Sequence, residues 1–231
     1  MKLFQLLPTS RFRTLTAGAL VLAAFTATSF SQDKAKPAAP ATAPASASTS
    51  PYKYKTNVKG PADAPIKVVE FADFMCPACQ AASGALRGYF EQQGADINLT
   101  FKNFPLEKTC NSAITQTIHN GACELALGAI CASDLGNFWG YHDRIFSRAW
   151  ERATRQDVLE NAVAAGMDRA KFDACMESPA AKSKLAIQIK EGVEVNVIQT
   201  PTLVVNGRKL TALNQFSSTV EEERKKAGAT K

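Results

Sequence analysis

The run Cys76-Pro77-Ala78-Cys79 stands where a short apolar, β-branched segment, Ile66-Lys67-Val68-Val69-Glu70-Phe71, gives way to a helical one. Nothing else in the chain restricts its fold as tightly. Two cysteines separated by two residues in the first turn of a helix are close enough to bridge. The first of them faces the unpaired N–H groups and the positive end of the helix dipole. Such a setting lowers a thiol from about 8.5 to roughly 3.5–7.5, which favours thiolate over thiol. Cys76 is therefore the expected exposed nucleophile, and Cys79, one turn inside, the more buried resolving thiol. A stabilised reduced thiolate makes the corresponding disulfide more oxidising.

The flanking sequence supplies an α/β frame for this pair. From Cys76 to about Gln93 there are no β-branched residues, Leu86, Tyr89 and Phe90 recur at helical spacing, and Gly94 marks a stop. Ile97-Asn98-Leu99-Thr100-Phe101 then alternates as a second strand, expected to run parallel to the first through a right-handed crossover. Between Phe104 and Gln199 the periodicity is helical. Leu125, Ala129 and Cys131 mark one helix, Val158, Leu159, Ala162 and Val163 another, and Leu185, Ile189 and Val193 a third. Thr154, and Ser178 before Pro179, read as N-caps. A helical subdomain is thus inserted at about residues 106–195. Thr202–Val205, the turn pair Asn206-Gly207 and Arg208–Leu210 form a hairpin pattern, and Leu213, Phe216 and Val220 a closing helix.

The beginning of the chain reads differently. Lys2, Arg11 and Arg13 precede an uncharged run whose apolar part, Leu15 to Phe30, falls short of the ~20 residues that span a bilayer. Residues 1–31 are expected to be a secretory signal, with an uncleaved anchor as the alternative. Residues 32–59, dominated by Ala, Pro, Ser and Thr as far as Pro51, are expected to be a tether, and 60–231 the folded domain.

Charge and cysteine content narrow the function. The chain has 27 Lys and Arg against 21 Asp and Glu, and without the three leader residues the balance is 24 to 21. That surplus does not argue for nucleic acid, and Arg224-Lys225-Lys226, after three glutamates, reads as a solvated helix face. Six cysteines in a chain bound for an oxidising compartment suggest three disulfides, one of them redox-active. The remaining four are spaced singly, with no second CxxC and no His-x-x-x-His, so half a zinc site is a poor reading and neither metal nor organic cofactor is expected. A purely structural bridge at Cys76 and Cys79 would close four residues and remove little chain entropy.

Val69-Glu70-Phe71-Ala72-Asp73-Phe74-Met75-Cys76-Pro77-Ala78-Cys79 resembles the active-site strand of the bacterial DsbA-type oxidoreductases. Phe104-Pro105-Leu106, the run from Phe138 to Phe146, and Thr200-Pro201-Thr202 are similar as well, so the resemblance spans roughly Gly60 to Ala227. It implies a thioredoxin-like fold with an inserted helical subdomain, and a periplasmic protein that oxidises cysteine-containing exported clients. It also implies a quinone-linked membrane oxidase that restores the disulfide, and a Thr200–Pro201 bond that is cis, lies against the active pair and offers its backbone to a bound substrate strand. Glu70 matches a buried acid that helps move the proton as Cys79 reacts, its pKa raised by burial. A strand-end glutamate facing water is the plain alternative, and Lys102 is the candidate partner.

The sequence departs from that pattern in two places. Pro77-Ala78 lacks the histidine of the best-known strong oxidants, and Thr before the proline is more typical of isomerase and reductase relatives. A periplasmic reductase or isomerase is therefore the second reading, and a secreted, disulfide-stapled binding module without activity the third. The isomerase relatives carry a dimerisation domain ahead of the fold, whereas here Tyr52 to Lys59 alone separate tether from core, so a monomer is expected. Of three pairings for the other four cysteines, any with Cys123–Cys131 is disfavoured, because eight helical residues separate them by about 12 Å. Cys110–Cys123 with Cys131–Cys175 is favoured, contributing roughly 3 and 4 kcal/mol through loop entropy. His119, in a loop, and His142, in an aromatic helix, are assigned no catalytic role.

Overall fold

Every second side chain of Ile97–Asn103 is buried, the signature of a strand with one face on a core, whereas Ile66–Ala72 is buried on both faces toward its end. The structure, a computed structural model, describes residues 53–229, so the expected leader and most of the expected tether lie outside the described residues. The strands are β1 (Val58–Lys59), β2 (Ile66–Ala72), β3 (Ile97–Asn103), β4 (Thr202–Val205) and β5 (Arg208–Lys209). They form one sheet in the order β1-β3-β2-β4-β5. β2 and β3 are parallel, pairing Ile66 with Ile97 through to Ala72 with Asn103, and β4 returns antiparallel to β2. The parallel pair needs a crossover, supplied by α1 (Pro77–Gln93).

The insert between β3 and β4 holds α2 (Ala122–Asp134), α3 (Phe138–Ile145), α4 (Arg155–Ala164), α5 (Arg169–Glu177) and α6 (Pro179–Glu194), and α7 (Phe216–Ala229) closes the chain. α2 is buried almost all round, as the central helix of such a layer must be. Thr154 closes a capping box with Asp157, and Ser178 Oγ accepts the Ala181 N–H at 3.1 Å with Pro179 in the first turn. Cys131 is bonded to Cys175, joining α2 to α5, and Cys110 to Cys123, joining the loop after β3 to the start of α2.

The structure corrects the sequence reading at three points. β1 lies within the stretch assigned to the tether: Val58 pairs with Thr100, and the Asn57 side chain donates to the Phe101 carbonyl at 2.7 Å, so the fold begins before residue 60. A strand of two residues has no periodicity to detect. Val163 and Val193 are exposed rather than in the core. In α6 it is Gly192 that turns inward, where the rings of Phe104 and Phe71 leave no room for a side chain.

Candidate active site

β2 delivers the chain to the site. It ends at Ala72, Asp73 to Met75 turn the chain, and Cys76 is the N-cap of α1, in extended conformation with Pro77 following. The turn is built locally, because the Asp73 carbonyl accepts the Cys76 N–H at 3.1 Å and Asp73 Oδ1 accepts the Met75 N–H at 2.7 Å. Phe74 anchors it on β3 and on the insert, its ring 5.1 Å from Phe101 and 4.8 Å from Phe146. Gln80 donates from α1 to the Phe146 carbonyl at 2.8 Å.

Both cysteines are free thiols. Cys79 is fully enclosed, and Cys76, expected to be exposed, is only 7% accessible because the loop before β4 covers it. The Thr200–Pro201 peptide in that loop is cis, and the Cys76 thiol donates to the Thr200 carbonyl at 3.3 Å. A groove of about 390 Å³ opens alongside, lined by Ala78, Gln199, Thr200, Pro201, Leu210 and Leu213 among others.

The two thiols are driven apart in acidity. The hydrogen bond from Cys79 pulls Cys76 down to about 5, helped by the Thr200 side chain and the Cys79 and Ala78 N–H groups at the start of α1, with burial opposing. Burial, and then the hydrogen bond to Cys76 and its charge, push Cys79 far above the usual thiol range. Glu70, opposite Leu203 in β4 and Phe101 in β3, is 2% exposed, and desolvation raises its carboxyl to about 8. The water-facing alternative for Glu70 therefore does not hold.

The structure thus brings Cys76, Pro77, Ala78, Cys79, Thr200, Pro201 and Glu70 to one end of the sheet, but not Lys102. Lys102 Nζ is 2.7 Å from Glu191 of α6. Glu70 pairs with Phe101, and the next residue along a strand points to the opposite face. His142 is buried among Phe74, Phe101, Trp139 and Phe146, with Nδ1 2.8 Å from Asp143, and burial lowers its pKa.

Two residues to which the sequence assigns no role, Asp73 and His119, also belong here. Asp73 Oδ2 accepts from the Leu106 N–H at 2.7 Å and from His119 Nδ1 at 2.9 Å, which joins the loop after β3 to the turn before Cys76. Asp73 had a sequence signal, an acid just ahead of a helix start. His119, 46 residues on in a loop without periodicity, had none.

The comparisons with known proteins agree with this geometry. A family model described as thioredoxin matches residues 53–222. A thioredoxin-like oxidoreductase from Silicibacter pomeroyi superimposes with TM-score 0.62 at 22% identity, over 73% of this chain and 91% of that one. BdbD from Bacillus subtilis does so with TM-score 0.61 at 21% identity, over 74% and 94%. DsbA from Xylella fastidiosa has TM-score 0.56 at 20% identity, over 71% and 89%. At these identities the likeness is one of fold. Among curated proteins, the Na(+)/H(+) antiporter NhaA 1 of Mycolicibacterium gilvum is 30% identical over 159 residues, which are 67% of this chain and 24% of that protein. NhaA of Herminiimonas arsenicoxydans is 28% identical over 157 residues, again 67% of this chain and 23% of the relative. The chain spans about a quarter of the length of these curated relatives. No helix among the described residues is long and apolar enough to cross a membrane.

Proposed function

Since the chain belongs to the thioredoxin family and has the fold of DsbA-type thiol:disulfide oxidoreductases, we propose that it is a periplasmic oxidant of cysteine-containing exported proteins. The observation that carries this reading is the placement of Cys76 at the N-cap of α1 with Cys79 fully enclosed in the first turn, which holds Cys76 at about 5 and Cys79 far above the usual range. At pH 7 a thiol at about 5 is ionised, and compared with one at 9 this stabilises the dithiol form by roughly 3 kcal/mol. For a two-electron couple that makes the disulfide about 60 mV more oxidising.

In the proposed reaction a client thiolate attacks Cys76 Sγ of the Cys76–Cys79 disulfide. A bond forms between the client sulfur and Cys76, the Cys76–Cys79 bond breaks, and its electron pair leaves on Cys79. Cys79 holds a proton strongly, and Glu70, neutral at pH 7 with its carboxyl at about 8, is the buried acid that supplies one. The client's second thiolate then attacks the client sulfur of the mixed disulfide and Cys76 departs as thiolate. The client passes two electrons to the protein and loses its two thiol protons to water; Cys79 ends protonated at the expense of Glu70, which regains its proton from water, and Cys76 ends as thiolate. The groove beside Thr200 and Pro201 receives the client segment. A quinone-linked membrane oxidase takes the electrons from Cys76 and Cys79, and the protein acts as a monomer.

Thr200 beside Cys76 favours a second reading, in which a reduced protein donates electrons to disulfide-bonded clients. Equilibration of the pair with glutathione, together with titration of Cys76, decides between them. An oxidising potential with a depressed thiol supports the oxidant, a potential near thioredoxin's supports the reductase, and an inert pair overturns both.

A further inference from the structure

The Asp73–His119 pair is unused by the exchange steps above, yet it is built into the turn that presents Cys76. The Asp73 side chain has no exposed surface, and both its oxygens are committed, Oδ1 to Met75 N–H and Oδ2 to Leu106 N–H and His119 Nδ1. Through its own carbonyl the same residue holds the Cys76 N–H at 3.1 Å. A buried carboxylate in that position works against a thiolate on Cys76.

His119 is held where it can offset this charge. Its N–H donates to the Leu106 carbonyl at 3.2 Å, and its carbonyl accepts the Ala122 N–H at 3.3 Å. Glu107 Oε2 accepts the N–H groups of Gly121 and Cys123 at 3.0 and 2.9 Å, and the Cys110–Cys123 bridge ties the loop to α2. The bond to Asp73 raises the His119 pKa, burial opposes it, and the charges of Asp73 and Cys76 raise it further. The other titratable neighbours are Cys79, hydrogen-bonded to Cys76, and Glu70, which acts on Cys79.

We propose that His119 is a positioning residue for the Cys76 thiolate: as imidazolium on Asp73, held by the loop after β3, it offsets the buried carboxylate charge of the turn that presents Cys76. The proposal rests on the exchange chemistry of Cys76 described above. Coulomb's law with protein-surface screening allows one charge within about 10 Å to move a thiol by about one unit, tenfold in thiolate population.

The test is an NMR titration of the two histidines of the chain in both redox states, the His119 signal assigned in the unsubstituted protein by through-bond correlation of ring and backbone nuclei. Linkage requires that if His119 favours the Cys76 thiolate, the thiolate favours protonated His119 equally. The expected result is a His119 pKa about one unit higher in the reduced protein than in the oxidised one. In His119→Gln the Cys76 pKa rises by a similar amount, and adding Asp73→Asn brings it back down. Identical His119 titrations in the two redox states overturn the proposal, and this arm needs no substitution to fold. So does a folded His119→Gln protein with an unmoved Cys76, since a structural role alone would lower the melting temperature and leave the thiol in place. Client oxidation is assayed separately. Coupled His119 in a protein that ignores reduced clients sinks the oxidant reading and keeps the coupling, whereas uncoupled His119 in an active oxidant does the reverse.

Discussion

The Cys76 thiol donates a hydrogen bond to the Thr200 carbonyl across 124 residues of sequence. The start of α1 and the loop before β4 therefore act as one unit at the reactive sulfur, and the Thr200 side chain is among the groups that favour its thiolate. Thr200→Val keeps the shape and removes the hydroxyl. The Thr200 hydroxyl is buried and has no hydrogen-bond partner while Cys76 is a thiol, so it is available to the thiolate, and its removal is expected to raise the Cys76 pKa by up to about one unit. Thiolate ultraviolet absorbance against pH measures it directly.

Exchange through Cys76 predicts an asymmetric trap. Cys79→Ser leaves the mixed disulfide unresolved from the protein side, so client adducts accumulate on Cys76, while Cys76→Ser accumulates none and loses client oxidation. Non-reducing mass spectrometry after mixing each reduced variant with a disulfide-bonded client, whose own disulfide is opened as the adduct on Cys76 forms, reads the trap, and oxidation of a reduced dithiol client is assayed separately. Adducts on Cys79 in the Cys76→Ser protein would reverse the assigned roles.

Stability of the reduced form depends on pH in a definite direction. The folded Cys76 pKa, about 5, lies below the unfolded value of about 8.5, so its contribution is full above 8.5 and is lost as pH falls through 5. The disulfide form has no such group. Between pH 7 and pH 4 the reduced protein is expected to lose roughly 3 kcal/mol relative to the oxidised one, measured by paired denaturant titrations.

Glu70 acts with the opposite sign. Its folded pKa, about 8, is raised above the unfolded value of about 4.3, so stability is highest below the unfolded value and is lost as pH rises toward 8. Glu70→Gln removes that dependence and is expected to stabilise the protein by about 3 kcal/mol at pH 7 and by little at pH 4. The same variant should slow exchange at Cys79, which separates the proton-donor role from simple burial.

Two glycines in helices should respond oppositely to alanine. At Gly84 in α1 a Cβ meets nothing within 4 Å, so Gly84→Ala gains up to about 1 kcal/mol of helix propensity. At Gly192 in α6 it would sit 2.4 Å from the buried Phe104 ring and 3.2 Å from Phe71, and overpacking of that kind costs about 1–3 kcal/mol. Thermal melts of the two variants provide the comparison.

What could be read from the sequence followed how local the signal was. The strand-to-helix passage at Cys76 is written in consecutive residues, and the caps at Thr154 and Ser178 lie within three residues of their partners. Glu70 was identifiable as an acid in an apolar strand, but Lys102 is not its partner, and Glu70 Oε1 is buried without a hydrogen bond. Lys102 and Glu70 lie on opposite faces of neighbouring strands, and only the register between β2 and β3 shows it. Val163 and Val193 fit a helical stripe, yet the stripe's true edge depends on which helix packs beside it, and in α6 the buried position falls to Gly192. Asp73 and His119 meet through a loop held by a disulfide and by Glu107, and no short-range pattern encodes that meeting.

The position of β2 between β3 and β4 has a dynamic consequence. Its amides are bonded on both sides, whereas β1 and β5, two residues each, are the margins of the sheet. Local opening starts where few bonds must break together, so hydrogen exchange should be fast at those margins and approach the global limit in β2. The strand that carries Glu70 and leads into Cys76 would then be among the last parts of the molecule to open, and redox cycling would proceed against a fixed backbone while the margins breathe.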